Sequence, residues 1–330
     1  MREINLDANV DAKAPRHTYL AYGPTGSGKT TWAASFPRPI FLSDTTESGY
    51  ESLRGLDPSC LFEPEVRPII FGIERMNDMA RARELFAPYI RAGMIQTVVI
   101  DSLTFYADLY LNFIFEMQGA SQNNLKAYGA LGQHLRALRV GWHQMGCNVV
   151  SLCLANEPNE DQPNGQPLIP GKEASKFGAG CDFLLYLRHD RFKQAQQFVE
   201  NFELHSKPFG KYVARARRAI GMTELPSPLL NSDYTSLITT LGYDAEATRA
   251  ALPKYVRPQI VITQDAPTAP IASAHANTGA SGVRPPAAGV KPHVPNAARP
   301  AAASNGASAP SPSVTRRPAV VPARGNTNNS

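Results

Sequence analysis

Short runs of consecutive apolar residues alternate along the chain with longer stretches of helical period. His17 to Tyr22 reads as a strand, followed by a glycine-rich turn and a helix that begins near Lys29 and stops near Pro37. Pro39–Ser43 and Arg67–Ile73 are two more strand candidates. A helical segment covers roughly Glu74–Ala92, and Pro88 inside it is expected to kink or shorten it. Thr97-Val98-Val99-Ile100-Asp101 is a β-branched run ending in a carboxylate, the pattern of a strand buried on both faces. Two helices follow, over Phe105–Met117 and Leu125–Met145. In the second, Leu131, Leu135, Leu138 and Trp142 make one apolar stripe. Asn148–Ala155 is another buried strand. Asn156–Gly180 breaks the rhythm: it is rich in Pro, Gly, Asn, Gln and acids, and reads as a long irregular loop of the kind that carries function. Phe183–Leu187, Gln197–Leu204 and Lys211–Ala216 look like strands, the last two forming a hairpin about Ser206–Gly210. Strands alternating with helices imply an α/β fold with a mainly parallel sheet flanked by helices.

From about Ile262 the character changes. Ala and Pro supply 28 of the last 69 residues, and Leu, Phe, Tyr, Trp and Met are absent there. Such a segment cannot bury enough apolar surface to offset its ordering entropy, so a disordered tail is expected. The domain reading is a lead-in over 1–16, one domain over 17–255 and the tail over 256–330. Six Lys or Arg against one Asp in the tail account for the whole net charge of +5, so the rest of the chain is balanced and shows no basic face. The four cysteines form no C-x-x-C pair and read as reduced thiols. The N-terminus lacks an apolar signal core, and no stretch approaches the length of a membrane span, so a soluble cytoplasmic protein is expected.

Gly23-Pro24-Thr25-Gly26-Ser27-Gly28-Lys29-Thr30 fits G-x-x-x-x-G-K-T in full, between a strand and a helix. Glycines let the backbone wrap around phosphates and turn its N–H groups inward, and the helix start adds partial positive charge. Lys29 is expected at the β- and γ-phosphates of ATP and Thr30 on Mg²⁺, with Thr31 completing the binding segment. Asp101 at its strand end reads as the second metal residue, holding Mg²⁺ through water (the Walker-B position). The other reading, an Asp capping the next helix, stays open because Ser102 and Thr104 also suit a cap. Hydrolysis needs a group that orients or deprotonates water. Ser102 follows Asp101, so no acid stands there; Glu47 is the first candidate and Asp44 the reserve, on a strand that can lie beside the P-loop strand. Asn156, at the end of the Val149–Ala155 strand, is a candidate γ-phosphate sensor or an ordinary turn residue.

The order Gly23–Thr30, Asp44-Thr45-Thr46-Glu47, Val98-Val99-Ile100-Asp101-Ser102, Ala155-Asn156 and Arg215-Ala216-Arg217 resembles the RecA-type P-loop ATPase core over roughly residues 17–225. It is especially similar to the short, phage-encoded AAA-type and single-strand-annealing proteins. The resemblance implies Glu47 as water activator, Asn156 as γ-phosphate sensor and Asn156–Gly180 as a loop contacting single-stranded DNA. It also implies Arg215 and Arg217 as a pair reaching the nucleotide of a neighbouring subunit; a solvated basic strand end is the plainer alternative. The implied partners are single-stranded DNA, further copies of this chain with nucleotide at their interface, and a single-strand-binding or other recombination protein. The chain departs from the pattern in lacking a separate N-terminal oligomerisation domain, and in carrying Glu157, Glu160 and Asp161 where a DNA loop would be basic.

Three further possibilities stay open from the residues. The basic tail either attracts nucleic acid weakly or is a solubilising linker. The aromatic set Phe105, Tyr106, Tyr110, Phe113 and Phe115 either packs a core or stacks on bases. The same P-loop would also serve a nucleotide-gated module with little hydrolysis, a nucleoside kinase, or a helicase or packaging motor.

Overall fold

The strands, in chain order, are β1 (Thr18–Gly23), β2 (Pro39–Asp44), β3 (Ile69–Ile73), β4 (Thr97–Asp101), β5 (Asn148–Asn156), β6 (Gln166–Pro167), β7 (Phe183–Gln194), β8 (Gln197–His205), β9 (Arg215–Ala216) and β10 (Leu229–Leu230). The helices are α1 (Lys29–Ala34), α2 (Met76–Arg91), α3 (Leu103–Gln118), α4 (Leu125–Gln144), α5 (Glu173–Gly180), α6 (Tyr234–Thr240) and α7 (Ala245–Ala250). This computed structural model describes residues 14–45, 49–118, 125–160, 162–194, 197–217 and 223–260. The chain divides into a unit Met1–Ala269 and a unit Pro270–Ser330, and the second unit lies outside the described residues. Of the expected tail over 256–330, residues 261–330 fall outside them, as do residues 1–13 of the lead-in.

The sheet runs β3-β2-β4-β5-β1-β7-β8-β10. Every pairing from β3 to β7 is parallel, and β8 and β10 are added antiparallel. The central strands are apolar at successive positions because both faces are covered. Leu20, Tyr22, Leu42, Val98, Ile100 and Val149 face the layer formed by α2, α3, α4 and α5. Their alternates Tyr19, Ala21, Phe41, Val99 and Val150 face α1 and α6. The expected stripe on α4 is buried in the first of these cores. Tyr106 of the aromatic set is buried there, Tyr110 stacks on His134 at 4.2 Å between ring centres, and Phe115 meets Tyr128 edge-on. For these three, packing is the role the fold gives.

Five expectations are corrected. Pro88 does not shorten α2: it lies in the last turns, and the helix continues to Arg91. Pro88 and Glu84, whose carbonyl loses its partner, are both exposed, so water satisfies that carbonyl. Asn156–Gly180 is not one irregular loop. Its first part folds back as β6 on the end of β5, and its last part is α5, whose Ala174 and Phe177 are buried. The hairpin expected between Gln197–Leu204 and Lys211–Ala216 does not form. β8 pairs with β7, from Tyr186 opposite His205 to Gln194 opposite Gln197. A tight turn pairing Phe209 with Tyr212 then sends the chain to Gly165 and on to β9, which lies against the start of β7. The strand read over Phe183–Leu187 is longer: β7 runs on through Arg188–Arg191 to Gln194. The sheet's helical layers do not cover this ribbon, so charges are tolerated and pair across it, as Arg188 does with Glu203 at 2.9 Å. Finally, β2 does not lie beside the P-loop strand: β4 and β5 stand between them.

Residues 249–260 close the domain. Arg38, at φ 44° just before β2, is 4% exposed and is held bidentately by Glu63, which is 6% exposed, with both N–O distances 2.8 Å. The same guanidinium donates to the carbonyls of Gly93 and Pro253. Tyr89 of α2 donates to the carbonyl of Gln259, and Ile260 packs on the core, so the chain laid on the domain reaches Ile260. All four cysteines carry free thiols, and burial pushes those of Cys147 and Cys153 up to about 12. Among the described residues no helix is long and apolar enough to cross a membrane.

The Arg38–Glu63 pair yields a direct stability prediction. Glu63→Gln leaves a buried guanidinium without its counter-charge and should cost about 3–5 kcal/mol. Urea denaturation followed by circular dichroism reads this as a lowered midpoint at unchanged slope.

Candidate functional site

The parallel strands all end on one edge of the sheet, where loops can gather side chains from several of them. Gly23 ends β1 and is level with Leu154 of β5; Asp101 ends β4 and is level with Leu152 and with Ser43 of β2. The edge therefore carries, in spatial order, Asp44, Asp101, Asn156 and the loop after Gly23.

That loop requires glycine at its ends. A Cβ at Gly23 would collide with the Leu187 carbonyl oxygen and lie 2.8 Å from Ser27 Oγ. Gly28 has φ 80°, in the left-handed region, and a Cβ there would lie 2.8 Å from Cδ1 of Phe202. Pro24, Thr25 and Gly26 are exposed at the turn, Ser27 is buried beneath it, and α1 begins at Lys29. The ammonium of Lys29 curls back over the loop, donating to the carbonyls of Gly23 (3.0 Å) and Pro24 (2.8 Å) and to Ser27 Oγ (3.4 Å). Thr30, in the first turn of α1, donates its hydroxyl to Asp101 Oδ2 at 2.9 Å. Thr31 follows on the flank of α1 that faces β7 and β8, beside Trp32 and Phe202.

Burial raises the pKa of Asp101, and the Thr30 hydroxyl and the Lys29 charge pull against that rise. Its side chain is thus bound to the P-loop threonine rather than spent on capping α3, and the peptide that follows it is cis. A hydroxyl and a carboxylate so placed suit Mg²⁺, which takes oxygen ligands, keeps several waters and is completed by substrate phosphates. They are the residues that would hold the ion, and Lys29 the one that would meet phosphate charge. Mg²⁺ bound there would neutralise charge developing on the phosphates.

Of the water-activating candidates, Glu47 lies outside the described residues. Asp44 is one residue beyond Ser43, the partner of Asp101, and shares a small cavity with Ser102. A Cβ at Gly49 would lie 3.9 Å from both Asp101 Oδ2 and Thr30 Oγ1, so Gly49 borders the position where these two would hold a metal. Asn156 stands two residues past the partner of Gly23, and its amide donates to Gln162 Oε1 at 2.5 Å. That bond ties the sheet edge to the β5–β6 connection. Glu157 in the same connection accepts from the Tyr212 hydroxyl. Arg215 and Arg217 are not brought to this edge. β9 lies against the start of β7, and both guanidiniums donate to carbonyls at the end of α5: Arg215 to Gly178, Ala179 and Cys181, and Arg217 to Ala179. Residues that no motif marked also border the loop: Phe202 on β8, and Asn231 and Asp233 after β10. Their spacing in sequence carries no signal, because only the β7–β8 ribbon brings them there.

A parallel sheet flanked by helices, a glycine loop at its strand ends and a threonine–aspartate pair beside a lysine define a P-loop NTPase-type domain. A family model described as an AAA domain matches residues 16–213, more than half of the chain, and the protein belongs to that family. Membership points to nucleotide binding and ATPase activity. No curated protein matches the chain.

The raised pKa of Asp101 has a sign that can be tested. A folded-state pKa above the unfolded value means that the ionised carboxylate costs the metal-free fold stability at neutral pH. Asp101→Asn keeps an acceptor for Thr30 and removes that cost. In EDTA it should melt above the parent protein at pH 7. The gap should shrink as pH falls through the raised pKa and close below the ordinary value of 3.8. Thermal melts across that pH range check it; a variant that melts lower at pH 7 would contradict the desolvation account.

Proposed function

We propose that the protein is a RecA-like ATPase, of the kind phages encode, that hydrolyses ATP with Mg²⁺ and acts on single-stranded DNA in recombination, annealing or replication. The observation that carries the ATPase part is the Thr30–Asp101 hydrogen bond of 2.9 Å beside Lys29. Lys29 would meet the phosphates, Thr30 and Asp101 would hold the metal, Asp101 through water, and Glu47, or Asp44 in reserve, would orient the attacking water.

The DNA part rests on the order of the motifs and on one continuous piece of chain. Asn156 stands at the nucleotide edge, and its amide is bonded to Gln162 in the segment that a RecA-like protein would turn to DNA. A γ-phosphate that takes this amide releases Gln162 and loosens the segment, which couples nucleotide state to strand contact. Glu157 and Glu160 disfavour phosphate backbone in that segment. Lys172, Lys176 and the six basic residues beyond Ile262 supply the attraction, which makes binding weak and salt-sensitive. Copies of the chain assemble along the strand, and a single-strand-binding or other recombination protein meets them there. Arg215 and Arg217 lie away from the chain's own loop, so any action of theirs is on a neighbouring copy's nucleotide.

A second reading, a nucleotide-gated module with little turnover, draws on Ser102 standing where a second acid would follow Asp101. Two measurements separate the readings. Phosphate release with Mg²⁺ should show many turnovers, rise with saturating single-stranded DNA at low salt, and vanish in Lys29→Ala; a rate indifferent to DNA would remove the DNA role. Glu47→Gln should lower turnover at least about a hundredfold, the usual worth of a positioned base, while ATP still binds. Turnover absent in the parent protein would instead leave the module reading standing.

A further inference from the structure

A cavity of about 280 Å³ opens beside the P-loop, on the flank away from Asp101. One wall is a single face of α1 and the turn before it: Gly28, Thr31, Trp32 and Ser35, at helical spacing. The opposite wall is Phe202 of the β7–β8 ribbon, with Asn231 behind it. The lining is mostly apolar. Folded interiors leave few voids of this size, and small-molecule sites of roughly 300 Å³ and upward have this mix of apolar wall and few polar groups.

Phe202 is the unusual member. It is 42% exposed although aromatic, and one ring contact is a stack on His189 at 4.7 Å and 15°. Its position is nonetheless fixed. The Asn231 N–H donates to the Phe202 carbonyl at 2.7 Å, and Asn231 Oδ1 accepts from the Phe202 N–H at 2.9 Å. Asn231 adopts φ 47° to do this, a left-handed conformation that asparagine tolerates better than most residues. A ring held in place yet left open to solvent next to a phosphate loop is poised to stack on something that binds there.

The direction of the triphosphate says what. β1 has β5 on one side, with β4 and Asp101 beyond it, and β7 on the other, with β8 and Phe202 beyond it. Thr30 and Asp101, which would hold Mg²⁺, lie toward β4, so the terminal-phosphate end of a nucleotide would point there. The nucleoside end would then leave by the opposite flank, where the cavity lies. We propose that this cavity is the base subsite of the nucleotide, and that the Phe202 ring stacks on a purine seated against the Gly28–Ser35 face of α1.

The proposal rests on the ATP-binding reading above, and its test separates the two. The purified full chain is titrated calorimetrically with Mg-ATP and with Mg-tripolyphosphate, which has the phosphates and no nucleoside. The parent protein should bind ATP more tightly than tripolyphosphate. Phe202→Ala should weaken ATP about tenfold, as loss of one stacked base predicts, and leave tripolyphosphate unchanged. Phe202→Tyr, which keeps the ring, should restore ATP affinity. If Phe202→Ala binds ATP like the parent while tripolyphosphate still binds, the base lies elsewhere and the subsite is wrong. If the variant loses both ligands equally, its effect is on the loop and the subsite is again wrong. If the parent binds neither ligand, the ATP reading itself fails and the subsite falls with it.

Discussion

A carboxylate held largely out of water is the constraint on which the rest of this domain turns. Asp101 ends a strand whose other residues are buried, and the Thr30 hydroxyl and the Lys29 ammonium are the protein groups that offset the burial of its charge. Both come from the first turn of α1, where the loop leaving β1 ends. Loop and strand end must therefore meet, although β5 lies between their strands. The fold achieves this by ending β1 and β4 on the same edge and by turning the loop sharply enough for the first turn of α1 to reach across. Gly23 and Gly28 are required at the points where the Leu187 carbonyl and the Phe202 ring come close.

Because β5 fills the gap between the two phosphate-side strands, whatever follows it is joined to the same edge. Asn156 is that junction. Its backbone pairs with β6 and its amide with Gln162, so the segment beyond it is built onto the site rather than hung from it. The connection first read as irregular thus divides into a short hairpin and a helix. Its apolar residues Ile169, Ala174 and Phe177 are covered by the sheet and by α4, which gives them somewhere to pack.

On the other flank, β7 outruns β1 and carries β8 past the P-loop. This two-stranded extension is stabilised by cross-strand ion pairs and by its own backbone ladder rather than by the two helical layers. It places the Leu187 carbonyl against Gly23 and Phe202 against Gly28, and so closes the open side of the loop. The antiparallel edge strands are therefore as much a part of the site as the motif residues are.

The local features were readable from residue order because their causes are local. An unbroken G-x-x-x-x-G-K-T needs only its own glycines, lysine and threonine. Val98–Ile100 announces a strand covered on both faces, and the Leu131–Trp142 stripe announces a buried helix face. Pro88 misled because its cost depends on whether the freed carbonyl reaches water, which the pattern does not state. β7 extends past Leu187 through charged residues because no helical layer covers that part of the ribbon. The neighbour of each strand, the meeting of Thr30 with Asp101, the distance of Arg215 and Arg217 from the loop and the wall formed by Phe202 and Asn231 belong to another class. They depend on which strand edges pair, for β1 across more than a hundred residues, a choice made by the combined burial of both sheet faces and encoded in no single stretch of chain.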